Sequence, residues 1–209
     1  MLNKQGFNLW ADGYDKTVEV SEESGVYPFA GYRAILNAIF NEVMEIEGSR
    51  VLDIGFGTGV LTAMLYEKGH HIDGIDFSPR MIALAKPKMP NANLIDWDIA
   101  TGLPEEIKSK KYDYIVSTYA LHHLTDEEKV SFIKALIPML SEGGKILIGD
   151  IAFQTRQQLE ACKNDSKELW DDDEFYFVFK ELDSMLEEYC KLEFKPISHC
   201  GGVIEMTKK

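Results

Sequence analysis

The 209-residue chain carries 22 basic and 35 acidic residues, a net charge of −13, with 45% apolar and 27% charged residues. That balance is globular, and an acidic chain without any basic block matches neither the phosphate backbone of nucleic acid nor an anionic membrane. The start "MLNKQGFNLW" lacks an apolar core, no apolar run reaches the length of a bilayer span, and the three cysteines (Cys162, Cys190, Cys200) form no CxxC pair, so one cytoplasmic domain spanning 1–209 is expected, without disulfides or a metal site, as a monomer or homodimer.

Residues 1–46 open with scattered aromatics (Phe7, Trp10, Tyr14, Tyr27) and run into "PFAGYRAILNAIFNEVMEI", where Phe29, Tyr32, Ile35, Leu36, Ile39, Phe40, Val43 and Met44 recur at helical spacing. The pattern predicts an amphipathic helix with Pro28 near its first turn. Residues 47–150 then alternate. "RVLDI", "HIDGID", "NLIDW", "YDYIVST" and "KILIGDI" read as strands, with helices over "VLTAMLYEKG", "SPRMIALAK" and "TDEEKVSFIKALIPML". Ser78 is placed to cap and Pro79 to sit at the first helical position; Thr125 and Glu128 have capping-box spacing, and Gly143 and Gly144 are expected to end the third of these helices. Apolar strands alternating with helices imply a doubly wound α/β fold, a parallel sheet covered on both faces. In residues 151–209 an acidic loop precedes the helix "YFVFKELDSMLEEYCK", and "LEFKPIS" and "GGVIEMT" are joined too closely for a crossover helix, so they should pair as an antiparallel hairpin.

The stretch "VLDIGFGTGV" falls at the first strand-to-helix turn, where open doubly wound sheets bind ligands. Gly55, Gly57 and Gly59 let a ligand approach the backbone and the free amides of the following helix. The spacing is GxGxG rather than the dinucleotide GxGxxG, and Asp53 just ahead would repel a pyrophosphate yet suit an ammonium group. This disfavours a nicotinamide dinucleotide and favours an amino-acid-bearing nucleoside. The plainer alternatives are turn chemistry for the glycines and helix capping or a loop position for Asp76.

Taken in order, "VLDIGFGTG", "IDGIDFSPRMIALA", "DWDI", "YDYIVSTYALHHL" and "LSEGGKILIGD" resemble the class I S-adenosylmethionine-dependent methyltransferases over roughly residues 30–150. The resemblance implies a Rossmann-like seven-stranded sheet, mostly parallel with one antiparallel C-terminal strand, and S-adenosyl-L-methionine as cofactor with S-adenosyl-L-homocysteine as product. It further implies that Gly55, Phe56, Gly57 and Gly59 face the methionine part, that Asp53 holds its ammonium directly or through water, and that Asp76 accepts both ribose hydroxyls. Phe77 and Met81 would pack on the adenine and Asp98 would take its amino group, with Trp97 and Ile99 alongside. Ser117 would lie by the methionine through its carbonyl. The lead segment "FNLWADGYDKTV" is similar to one that covers the cofactor in small-molecule members, which makes Trp10 and Tyr14 lid candidates; Trp10, Tyr27 and Tyr119 are the candidates for contact with the substrate, and ordinary core packing is the competing reading for these aromatics.

Methyl transfer from a sulfonium needs alignment and exclusion of water, and a base only for a weakly acidic nucleophile. His122 and His123, just after the fourth strand, are the candidates for base or substrate orientation, against packing at the strand end. The chain has "STYALHHL" where members acting on nucleic-acid bases carry an Asn-Pro-Pro-Tyr type motif, so a small-molecule acceptor is expected. Asp171, Asp172, Asp173 and Glu174 read as a solvated acidic loop, because consecutive residues do not converge on an ion without a defined loop pattern. The alternatives in other classes are a non-catalytic S-adenosylmethionine-binding module and a nicotinamide-dependent oxidoreductase.

Overall fold

The computed structural model describes residues 25–209; the lid candidates Trp10 and Tyr14 lie outside the described residues. The elements are α1 (Tyr32–Val43), β1 (Arg50–Ile54), α2 (Val60–Glu67), β2 (His71–Asp76), α3 (Pro79–Ala85), β3 (Asn93–Asp96), α4 (Glu105–Lys108), β4 (Tyr112–Thr118), α5 (Asp126–Leu136), β5 (Leu140–Phe153), α6 (Arg156–Asp165), β6 (Phe177–Val178), α7 (Phe179–Leu186), β7 (Cys190–Pro196) and β8 (Gly201–Lys208). The sheet runs β3-β2-β1-β4-β5-β8-β7. Strand β8 is antiparallel to both β5 and β7, as the short "HCGG" link requires, and the other pairings are parallel. The two-residue β6 adds an eighth strand, parallel to the end of β5.

Side-chain alternation divides the core between the two faces of the sheet. Val51, Tyr114, Val116 and Leu147 join one cluster with Ile35 and Ile39 of α1. Leu52, Ile54, Ile115, Ile146 and Ile148 join the other with Phe132 and Ile133 of α5. Helix α1 docks on β5 over Gly149, where an added Cβ would lie 2.5 Å from Ile35 and 2.8 Å from Ile39. Each buried Ile or Leu there contributes about 1.5 to 3 kcal/mol.

Helix α1 begins later than its apolar pattern suggests. Gly31 holds the N-cap at a φ of 79°, and Pro28 sits three residues before it behind a cis peptide, outside the first turn. Ser78 does cap α3, accepting from the Met81 amide with Pro79 following it, and Thr125 and Glu128 form the expected capping box on α5. Gly143 and Gly144 do not end α5, which stops at Leu136; they lie within β5, opposite a register shift in β4. A side chain at Gly144 would stand 2.9 Å from the Tyr112 carbonyl, so glycine serves the irregularity in the ladder. Two helices were not legible in the apolar pattern: α4, and α6 with its Thr155/Gln158 capping box. The helix expected over "YFVFKELDSMLEEYCK" is shorter, because its first residues form β6. Among the described residues no helix is long and apolar enough to cross a membrane.

Candidate functional site

Strand order reverses between β1 and β4, and at the carboxyl ends of these strands a cavity of about 350 Å³ opens. Its walls come from the turn after β1 (Gly55, Phe56, Gly57, Thr58), the end of β2 (Asp76, Phe77), Met81 of α3, the segment after β3 (Trp97, Asp98, Ile99, Ala100) and the turn after β4 (Thr118, Tyr119, Ala120, His123). Tyr32 of α1 closes one side.

The three loop glycines all have positive φ, and they serve different ends. A Cβ on Gly55 would lie 2.3 Å from the Ala120 Cβ, so Gly55 lets the turns after β1 and β4 meet. A Cβ on Gly59 would lie 3.0 Å from the Met89 methyl and 3.3 Å from the Ala85 Cβ; Gly59 serves the packing around α3 and is not on the cavity wall. Gly57 has nothing within 4 Å of its Cβ direction and borders the cavity.

Asp76 does not cap α3. Its Oδ2 accepts from the Gly57 amide at 2.8 Å and its Oδ1 from the Ser78 amide at 2.8 Å, so it braces the glycine loop against β2. Asp53 lies beneath the loop, 1% exposed and off the cavity wall. Its Oδ2 accepts from the Thr62 hydroxyl, while Oδ1 is buried with no hydrogen-bond partner among the described residues. Burial, opposed by the Thr62 bond and reinforced by the nearby Asp76 charge, pushes its pKa up to about 7.

Phe77 and Met81 lie on the wall facing the Trp97–Ala100 segment. The Asp98 carboxylate accepts from the Ala100 amide at 2.9 Å, shaping a 3₁₀ turn, and the Trp97 indole donates to the Gly102 carbonyl at 2.9 Å. Ser117 is off the wall: its hydroxyl donates to the Ile54 carbonyl at 2.9 Å and ties β4 to β1, while Thr118 to Ala120 take the wall position. Tyr119 holds a φ of 51°, a left-handed conformation that costs a bulky residue about 1 to 3 kcal/mol, and its ring packs between Phe29 and Tyr32. Tyr27 is not on the wall either. It is buried, stacked on Trp170 and hydrogen-bonded through its hydroxyl to Tyr176.

The two histidines separate. His123 lines the cavity; His122 is buried behind it, with Nδ1 2.6 Å from Asp150 Oδ1. Burial disfavours the His122 cation, but the Asp150 and Glu174 carboxylates outweigh it and raise its pKa above the ordinary histidine value. Burial and the neighbouring His122 push His123 down to about 3, so it is neutral at ordinary pH. Of the acidic run, Asp171, Asp172 and Asp173 are exposed, whereas Glu174 turns inward towards both histidines. Asp150 escaped the sequence reading, and Glu174 was assigned there to a solvated acidic loop. Asp150 ends an apolar stretch much as Asp76 does, which is a usable signal; nothing local distinguishes Glu174 from its neighbours.

Comparison with known proteins gives concordant matches. A family model described as a methyltransferase domain matches residues 51–144. An uncharacterized methyltransferase of Anoxybacillus flavithermus is 35% identical over 211 residues, covering 97% of this chain and 96% of the relative. Another, from a Geobacillus species, is 40% identical over 163 residues, covering 78% and 73%. Among solved structures, DhpI in complex with SAH superposes with a TM-score of 0.72 at 18% identity, covering 98% of this chain and 94% of that one, a likeness of fold.

Proposed function

The chain belongs to the methyltransferase-domain family, and from that premise we propose that it binds S-adenosylmethionine in the cavity beside β1 and transfers the methyl group by in-line displacement to a small-molecule acceptor. The observation that carries the cofactor reading is the fit of the glycine-loop end. Asp53 Oδ1 is a buried acceptor lacking a partner among the described residues, below a loop whose Gly57 leaves the cavity side open. An ammonium group or a water bridging to one would satisfy that oxygen. Asp76 is set to accept a vicinal diol, and Phe77, Met81 and Ile99 offer apolar surface to a purine. DhpI, which shares the fold, is solved in complex with SAH, and this supports a cofactor of that kind. When bound, S-adenosylmethionine supplies an electrophilic methyl group on a sulfonium.

The protein's own contribution is alignment and dryness. Tyr32, Tyr119 and His123 border the remaining part of the cavity, and His123, neutral at ordinary pH, can accept a hydrogen bond from an acceptor hydroxyl, amine or thiol. The net charge of −13 supports a small molecule over a nucleic acid as acceptor. The test is a thermal-shift comparison of S-adenosylhomocysteine with NAD, followed by transfer of labelled methyl across a metabolite panel. Stabilisation by S-adenosylhomocysteine alone is expected; stabilisation by NAD alone would sink the reading, and binding without any transfer would favour a non-catalytic module.

A further inference from the structure

We propose that His122, His123 and Glu174 form a three-ligand site for a divalent transition cation of zinc's size, with its open coordination position towards the cavity. One ligand atom from each side chain lies within 4.8 Å of the other two. Glu174 Oε1 is 3.6 Å from His122 Nε2 and 3.7 Å from His123 Nδ1. Both separations exceed hydrogen-bond length, so two imidazoles converge on one oxygen without bonding to it. Ligand atoms about 2.0 to 2.1 Å from a tetrahedral zinc stand roughly 3.4 Å apart. The two measured edges need close by only a few tenths of an ångström.

The groups behind the ligands point the same way. Asp150 Oδ1, 2.6 Å from His122 Nδ1, turns the other ring nitrogen to Glu174, the arrangement in which a carboxylate orients a metal-bound histidine. The Tyr176 hydroxyl donates to Glu174 Oε2 at 2.8 Å, which leaves Oε1 aimed at the histidines. The Phe175 amide donates to the His122 carbonyl at 2.8 Å and pins the two segments together. This departs from the expectation that the chain holds no metal, because Glu174 alone of the acidic run turns inward.

Three protein ligands with a fourth position open is the pattern of a cation that engages substrate. His123 lines the cavity, so on the methyltransferase reading the open position would take an oxygen or sulfur of the acceptor and favour its deprotonated form, a role that with a cation bound passes from the His123 imidazole to the metal. Only this last step rests on that reading.

The test titrates the tag-free, metal-stripped full chain with Zn²⁺ and with Co²⁺. One equivalent should bind with micromolar or tighter affinity, and the Co²⁺ form should show the visible absorption of low coordination. His123→Gln and Glu174→Gln, at partly exposed positions, should each weaken binding at least 100-fold, and Asp150→Asn about 10- to 100-fold, with far-UV circular dichroism verifying the fold. Absence of stoichiometric binding by the unaltered chain, or equal binding by folded His123→Gln and Glu174→Gln variants, overturns the site. S-adenosylhomocysteine binding by the metal-stripped protein is measured in parallel. Cofactor binding without zinc binding removes the metal site alone, and zinc binding without cofactor binding removes the cofactor reading alone.

Discussion

The Gly57 amide donates to Asp76 Oδ2 at 2.8 Å, joining the turn after β1 to the end of β2. The residue proposed to hold the ribose is therefore also the residue that sets the shape of the glycine loop. Asp76→Ala would leave the Gly57 and Ser78 amides without this acceptor as well as removing the diol contact. S-adenosylhomocysteine affinity is expected to fall by about 1.5 to 3 kcal/mol, roughly 10- to 150-fold, measured by isothermal titration. Unchanged affinity would remove Asp76 from the site.

Gly59 separates packing from binding. With a φ of 79° and Met89 and Ala85 within 3.0 and 3.3 Å of an added Cβ, Gly59→Ala is expected to cost about 1 to 3 kcal/mol of stability in urea denaturation. Because Gly59 is off the cavity wall, ligand affinity of the folded variant should change by less than threefold.

Asp53 imposes a pH dependence of known sign. Its pKa is 3.8 as a free side chain and about 7 in the fold, so between these values the folded state holds the extra proton. The stability this confers is complete below about pH 4 and is lost as pH rises through 7. Subtracting the Asp53→Asn profile from that of the unaltered, ligand-free chain should leave a fall with rising pH, on the order of 4 kcal/mol at most. A flat difference would contradict the assignment.

Lys129 anchors the segment that carries Glu174. It is 1% exposed; its ammonium donates to Asp126 Oδ1 at 2.9 Å and to the Phe175 carbonyl, and lies 4.6 Å from the Phe177 ring centroid. Lys129→Met should cost about 1 to 3 kcal/mol. It should also speed amide exchange over residues 171–176 more than tenfold without changing exchange in the glycine loop. Unchanged exchange over residues 171–176, or an equal change in both segments, would show that the tether is not this lysine.

Where local chemistry dictates local geometry, the sequence is readable. The Ser78 cap, the Thr125/Glu128 capping box, the strand β1 and the hairpin of β7 and β8 each follow from a few neighbouring residues. The start of α1 and the fate of Gly143 were misread because they depend on distant partners: Gly31 packs against Ser198, and Gly143 lies beside Gly144, whose Cβ direction meets the Tyr112 carbonyl.

The residues themselves determined the parallel sheet, the position of the glycine turn at its switch point, the preference for an ammonium-bearing nucleoside over a pyrophosphate and the resemblance to methyltransferases, since those rest on periodicity and on spacing within single segments. Tertiary structure alone decided that Gly59 and Ser117 support packing behind the wall, that His123 faces the cavity while His122 is held behind it by Asp150, and that Glu174 leaves its acidic run to meet both. Each of these is a contact between segments far apart in the chain, and the direction of a side chain at such a contact is set by what the rest of the fold brings against it.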